Sequence, residues 1–185
     1  MQKATPEPGF PRRIPPGNPR AVASAVLLAI SAWPEAYTAA AAIEAPPDTF
    51  TAADLRQSAR ARDPGLVAGV PGWTAILTLH DAAELDMTVP DGEDFAPCDT
   101  FIMYDGSRRS IGDLARRALR LSADDAAWLF GADRTRAEVT GALSRIAGGG
   151  PARDPAPPQA PAPAPVARRS RSPAAPAARR RPPAR

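Results

Sequence analysis

Apolar positions recur with helical spacing most clearly between Ser110 and Ala147. Ile111, Leu114, Ala115, Ala118 and Leu119 fall at i, i+3, i+4, i+7 and i+8, and Val139, Leu143 and Ile146 repeat the pattern further on. Three start signals punctuate this stretch: Ser110 with Asp113, Ser122 with Asp125, and Thr135 with Glu138. Each hydroxyl can accept from an unpaired N–H of the first helical turn, and each acid, three residues on, can reach back to the cap. The acids also suit the positive end of the helix dipole. The pattern predicts helices over 111–121, 123–130 and 136–147. Gly131 and Gly148 are candidates for the left-handed residue that follows a helix end. Arg116, Arg117 and Arg120 fall on the face opposite the apolar one.

Upstream, Ala21 to Trp33 is an uninterrupted run of small and apolar residues. It predicts a helix burying Val22, Val26, Leu27 and Ile30 and ending near Trp33-Pro34. The alternative is a secretory signal, which the proline-rich arm ahead of it and Glu35 behind it argue against. The run is too short to span a bilayer. Pro46-Pro47-Asp48 breaks the chain, and Thr51 with Asp54 at the third position starts a short helix through about Ala61. Arg56, Arg60 and Arg62 form a strip on that helix that reads as a solvated face. In 63–85, Trp73, Ile76, Leu77 and His80 share a helical face, but Thr74 to Leu79 also alternates like a strand, and periodicity leaves both open. Thr100 to Tyr104 is a strand candidate followed by an Asp105-Gly106 turn. The fold class expected is mainly α: a small helical domain with at most a short β-hairpin, flanked by disordered proline-rich termini.

Composition sharpens the domain limits. Of 185 residues 24 are proline, concentrated at the two ends. Residues 1–20 carry six prolines and a net charge of +3, and residues 151–185 carry eleven prolines, eleven alanines and a net charge of +7. The whole chain is only +3, so 21–150 carries −7. The basic character therefore belongs to the ends. Proline removes donors and fixes φ, and the tail has too few apolar groups to offset the entropy of ordering. The chain divides into a 1–20 proline/arginine arm, a 21–150 helical domain and a 151–185 proline/alanine/arginine tail.

Little of this points to catalysis. Cys98 is the one cysteine and His80 the one histidine, which excludes an intrachain disulfide and a Cys/His metal site within one chain. Acidic surroundings should raise the Cys98 thiol pKa, against a nucleophile. His80 beside Asp81 reads as a helix-end histidine. Residues 81–105 hold eight acids and no base, but Asp91-Gly92-Glu93-Asp94 lacks the ligand spacing of a calcium loop and reads as a solvated acidic loop. A helix-turn-helix reading of 113–125 meets Leu119 where the turn glycine belongs, and Asp124-Asp125 where phosphates would be approached. No nucleophile–base pair or phosphate loop is legible, so no catalytic residue, cofactor or metal is assigned, and the chain is expected not to be an enzyme.

One resemblance is moderately specific, in its C-terminal half only. Leu119-Arg120-Leu121-Ser122, then Ala126, Leu129-Phe130, Thr135, Val139 and Leu143, resembles a family of small uncharacterised proteins of actinobacteria and their phages. Their C-terminal pattern is L-G-L-[ST]-x-x-x-A-x-x-L-F, then T, V and L. The family also carries C-G-T-x-x-C-x-A-G-[WH] upstream. Gly65, Gly72 and Trp73 match that motif here, whereas Pro64 and Gly69 stand at both cysteine positions. The resemblance covers about 60–150, implies a helical fold, tips 73–85 towards helix and implies no activity.

The function expected is that of a non-enzymatic interaction module with an unidentified protein partner. Trp33, Trp73, Trp128, Phe101 and Phe130 should be mostly core, with room for one on a binding surface. The alternative is nonspecific nucleic-acid association through the tail. Its arginines cluster as Arg168, Arg169 and Arg171 and as Arg179, Arg180 and Arg181, a candidate polyanion-binding set with no aromatic residue to read bases. No membrane association is expected. The location expected is cytoplasmic, or secreted if 21–41 acts as a signal.

Overall fold

Five of the six α-helices among the described residues begin at a capping side chain. In the computed structural model, which describes residues 13–39, 42–46, 49–86, 96–103 and 105–153, six α-helices are present among those residues: α1 Pro19–Ala32, α2 Ala52–Ala61, α3 Val70–Thr78, α4 Ile111–Ala118, α5 Ala123–Leu129 and α6 Arg136–Ala147. Asn18 caps α1, accepting from the Ala21 N–H, and α1 opens on Pro19, whose missing donor costs nothing at a first position. Thr51 with Asp54 and Thr135 with Glu138 form complete reciprocal capping boxes, while Ser110 and Ser122 each accept from the N–H three residues on. The proline-rich arm up to residue 12 and the tail beyond residue 153 lie outside the described residues, as does Asp91 to Asp94.

The helix ends depart from expectation. Gly131 and Gly148 do not take the left-handed conformation; Arg62, Gly106, Arg120 and Gly149 do. Arg120 (φ 53°) closes α4, with Leu121 N–H donating to Arg116 O (2.9 Å) and Arg120 N–H to Arg117 O (3.1 Å). Arg62 (φ 54°) closes α2 by the same pair of bonds, from Asp63 and Arg62 to Ser58 and Ala59. Leu119 and Phe130 thus sit past the ends of α4 and α5, which are shorter than the sequence suggests.

α3 is the centre of the fold. All nine of its residues are buried, which requires apolar side chains all round and satisfied polar groups. Thr74 and Thr78 meet this by donating their hydroxyls back to Val70 O (2.8 Å) and Thr74 O (2.7 Å). α1 lies against α3 and α6, and α4 also packs against α3. Stacked Trp33 and Trp73, with ring centroids 6.3 Å apart, join the end of α1 to α3. A β-carbon added at Gly72 would lie 1.7 Å from Ala42 O, so only glycine lets α3 pass the backbone at Ala42 so closely.

The β content exceeds the single short hairpin expected. One sheet has the order β2-β1-β4, from Val67–Ala68, Ile43–Ala45 and Ala96–Cys98; the other has β3-β5-β6, from Glu84–Leu85, Thr100–Ile102 and Arg108–Ser110. Both are antiparallel. Two- and three-residue strands are too short to print a period-two pattern. Pro97 is tolerated because β4 is an edge. The fold remains mainly α, and the open choice over 73–85 resolves into a helix to Thr78, a turn and β3.

Arg56 also departs from the solvated strip. It is 3% exposed and donates to Ile76 O (2.7 Å) and Leu79 O (3.1 Å), while pairing with Asp81. A side chain of α2 thus caps the C-terminal carbonyls of α3. Burial pulls the Arg56 pKa down and Asp81 opposes it. Arg60 and Arg62 remain exposed.

Candidate functional site

The segment leading into α1 is tied to the end of α3 by one hydrogen bond, Ile14 N–H to Leu77 O (2.8 Å). α3 stops at Leu79, whose backbone turns extended. The next residues form a tight turn: Ala83 N–H donates to His80 O (3.0 Å) and Ala82 N–H to His80 Nδ1 (3.2 Å). With Nδ1 accepting, the ring proton of neutral His80 sits on Nε2. Beyond β5 the chain turns back through Gly106, with Met103 N–H on Ser107 O (2.9 Å), and this leaves Met103 42% exposed.

Between these pieces lies a groove of about 520 Å³. Its walls are Pro16, Leu79, Ala82, Ala83, Met103 and half-buried Leu114 of α4. Thr78 reaches it too, but its hydroxyl is already committed to Thr74 O. Arg13 and His80, both exposed, are the remaining polar residues, and no acid is among the described residues that line it. The groove is therefore apolar with a basic rim.

Beside it stands Phe50, 65% exposed. Its orientation is enforced: Thr49 and Ala52 on either side are buried and Thr51 is held in the α2 cap. The backbone of 50–52 runs along 83–85, with Leu85 N–H on Phe50 O and Ala52 N–H on Ala83 O, both 2.9 Å. Asp54 accepts from Phe50 N–H (3.2 Å) and Thr51 N–H (2.8 Å), which places a carboxylate at the foot of the phenylalanine.

A second cleft of about 430 Å³ brings together Tyr37, Asp99, Ser110 and the start of α3 at Gly69 to Pro71. Burial raises the Tyr37 pKa, and Ser110 Oγ accepts from Asp113 N–H (3.4 Å). Cys98 is fully buried and donates to Thr100 O (3.0 Å). Its thiol is pushed up to about 11, mainly by burial, with Asp99 and Asp86 as lesser contributors. The sequence indicates that direction but attributes it to the acids alone. Among the described residues no group of three His, Cys, Asp or Glu is placed to hold a metal ion, and no helix is long and apolar enough to cross a membrane.

Of the aromatics expected in the core, Trp33, Trp73 and Phe101 are buried and Trp128 and Phe130 half-buried. Among the described residues the exposed aromatic is Phe50, which the sequence did not single out. Nor did it single out Met103 or Arg13. A lone apolar residue ahead of a cap carries no periodic signal. The candidate polyanion-binding arginines Arg168, Arg169, Arg171, Arg179, Arg180 and Arg181 lie outside the described residues.

Comparison with known proteins gives no matching family model, no matching curated protein and no matching solved structure.

Proposed function

We propose that this chain is a non-enzymatic interaction module whose contact surface is the groove between Leu79, Met103 and Leu114. The observation that carries this reading is the apolar groove itself, opened by a 42% exposed Met103. An exposed apolar concavity with a charged rim is what a recognition surface requires and what folding alone does not. The test is binding of the neutral apolar dye Nile red to the full chain carrying Phe50→Ser, with and without Met103→Arg. Met103→Arg should remove most of the fluorescence enhancement at unchanged Tm. An enhancement indifferent to Met103→Arg would remove the groove from consideration.

Membership of the actinobacterial and actinophage family is part of the same reading. Arg120 stands where the family pattern has glycine, and its φ of 53° is the conformation glycine serves best. That a C-terminal pattern glycine coincides with a left-handed position supports the resemblance on physical grounds.

The location we propose is cytoplasmic with α1 retained. α1 contributes Val22, Val26, Ala29 and Ile30 to the core, and removing residues up to about 41 would expose the faces of α3 and α6 that they cover. Mass spectrometry of the mature chain decides it: a start near Ala40 would favour secretion.

A second reading is nonspecific nucleic-acid association through Arg168, Arg169, Arg171, Arg179, Arg180 and Arg181. It is favoured by guanidinium clusters that proline spacing sets apart along the tail sequence. Neutralising about five phosphates gives a slope of log K against log salt of roughly −3.5 to −4.5. Anisotropy of a labelled oligonucleotide should follow that slope for the full chain and fail when the six arginines become glutamine. No binding at low salt would end the idea.

A further inference from the structure

We propose that the groove is filled by Phe50 of a second copy of this chain, so that two copies form a closed two-fold dimer by reciprocal insertion. The inference rests on the reading of the groove as a contact surface and names its occupant.

Three observations carry it. The first is the pairing of an outward phenylalanine with an apolar hollow on one molecule. Phe50 is 65% exposed, and its outward direction is fixed by buried Thr49 and by the cap at Thr51. The second is proximity. Phe50 O is bonded to Leu85 N–H, and Ala83, two residues earlier, lines the groove. With Thr51 opposite Glu84, Phe50 and Ala83 are diagonal neighbours across the pairing, roughly 7–8 Å apart. A two-fold contact is self-complementary, each patch meeting its own copy. A projection and a hollow this close can lie on either side of one axis, so both insertions occur in the same encounter.

The third is charge complementarity. The hollow has Arg13 and His80 at its rim and no acid among its described lining residues. The projection has the Asp54 carboxylate at its foot, 3.2 Å from Phe50 N. Inserting Phe50 brings Asp54 of one copy towards the Arg13 guanidinium of the other, with the Nε2–H of His80 as a neutral donor beside it, and does so twice. Outside the lining, exposed Asp81 follows His80 and exposed Glu84 follows Ala83; Asp81 is already paired with Arg56. The Arg13–Asp54 pairs at the rim give orientation and salt dependence; burial of the exposed 65% of each Phe50 gives most of the affinity.

The experiment is sedimentation velocity of the full chain over a concentration series, at low and high salt. A reversible monomer–dimer equilibrium is expected, weaker at high salt. Phe50→Ser removes an exposed side chain and should leave Tm unchanged. It should weaken dimerisation by on the order of 10³-fold, because each dimer loses two aromatic anchors. Met103→Arg should do the same by blocking the hollow. The two variants mixed should recover a heterodimer weaker than the parent dimer, since one intact projection still meets one intact hollow. Absence of that heterodimer, or a parent dimer unaffected by Phe50→Ser, would overturn the proposal. So would a parent chain that is monomeric throughout. In that last case, dye binding that Met103→Arg abolishes would leave the groove a contact surface for another partner. Dye binding that Met103→Arg does not change would remove the contact surface as well.

Discussion

Arg56 offers the most informative perturbation of the fold. It is 3% exposed, and its guanidinium satisfies Ile76 O at 2.7 Å and Leu79 O at 3.1 Å at the end of the fully buried α3. Arg56→Ala orphans two acceptors that water does not readily replace, each worth about 1–3 kcal/mol, and leaves a void where the stem packed. The two acceptors alone come to about 2–6 kcal/mol, to which the void adds. That is a large part of the roughly 5–15 kcal/mol that holds a domain together. Arg56→Met fills the space but leaves the carbonyls unpaired, so it should cost less, about 2–6 kcal/mol. Asp81 is 69% exposed, so Asp81→Asn should cost only about 0–1 kcal/mol. Urea titration followed by the fluorescence of buried Trp33 and Trp73 measures all three. An Arg56→Ala chain within about 0.5 kcal/mol of the parent would refute the capping argument, being no more than an ordinary surface substitution costs. An Asp81→Asn chain as unstable as Arg56→Ala would assign the energy to the ion pair instead.

Arg120→Gly should stabilise the chain by about 0.5–1 kcal/mol, since glycine relieves a left-handed conformation at φ 53° and returns part of the gain through its freer unfolded state; a lower urea midpoint would contradict this. Leu129→Ala should cost about 2–5 kcal/mol because Leu129 is 2% exposed, and Phe130→Ala less because Phe130 is half-buried beyond the end of α5; equal melts for both variants and the parent would refute it. Cys98, whose pKa rises from 9.0 in the unfolded reference to about 11 on burial, keeps its proton longer in the folded state. Its contribution is fully present below pH 9 and is lost as pH rises towards 11, so native protein should react with a thiol reagent far more slowly than urea-unfolded protein. Between pH 9 and 11 the parent should lose more stability than Cys98→Ala does, and identical slopes would sink the assignment.

What the sequence determined by itself is the set of local decisions. Thr51, Ser110, Ser122 and Thr135 start helices because a hydroxyl and an acid three residues apart satisfy first-turn donors whatever the rest of the chain does. The apolar faces of α4 and α6 follow from spacing alone, and the turn at Gly106 from the Asp105-Gly106 dipeptide. Tertiary structure decided the rest. Arg56 reads as a surface residue until α2 lies against the end of α3, where unpaired carbonyls favour its burial. Strands of two or three residues exist only because distant segments supply their partners, as Ile43 does for Ala68 and Cys98. The left-handed positions fell on Arg62 and Arg120 because the closing hydrogen bonds of α2 and α4 fix where the chain must turn, and the price in backbone strain is small beside the packing gained. The groove is the clearest case. Arg13, His80, Met103 and Leu114 are far apart in sequence and share no motif. They meet because the lead-in to α1, the turn after α3, the end of β5 and α4 all close on the same edge of the core, and no local preference encodes that meeting.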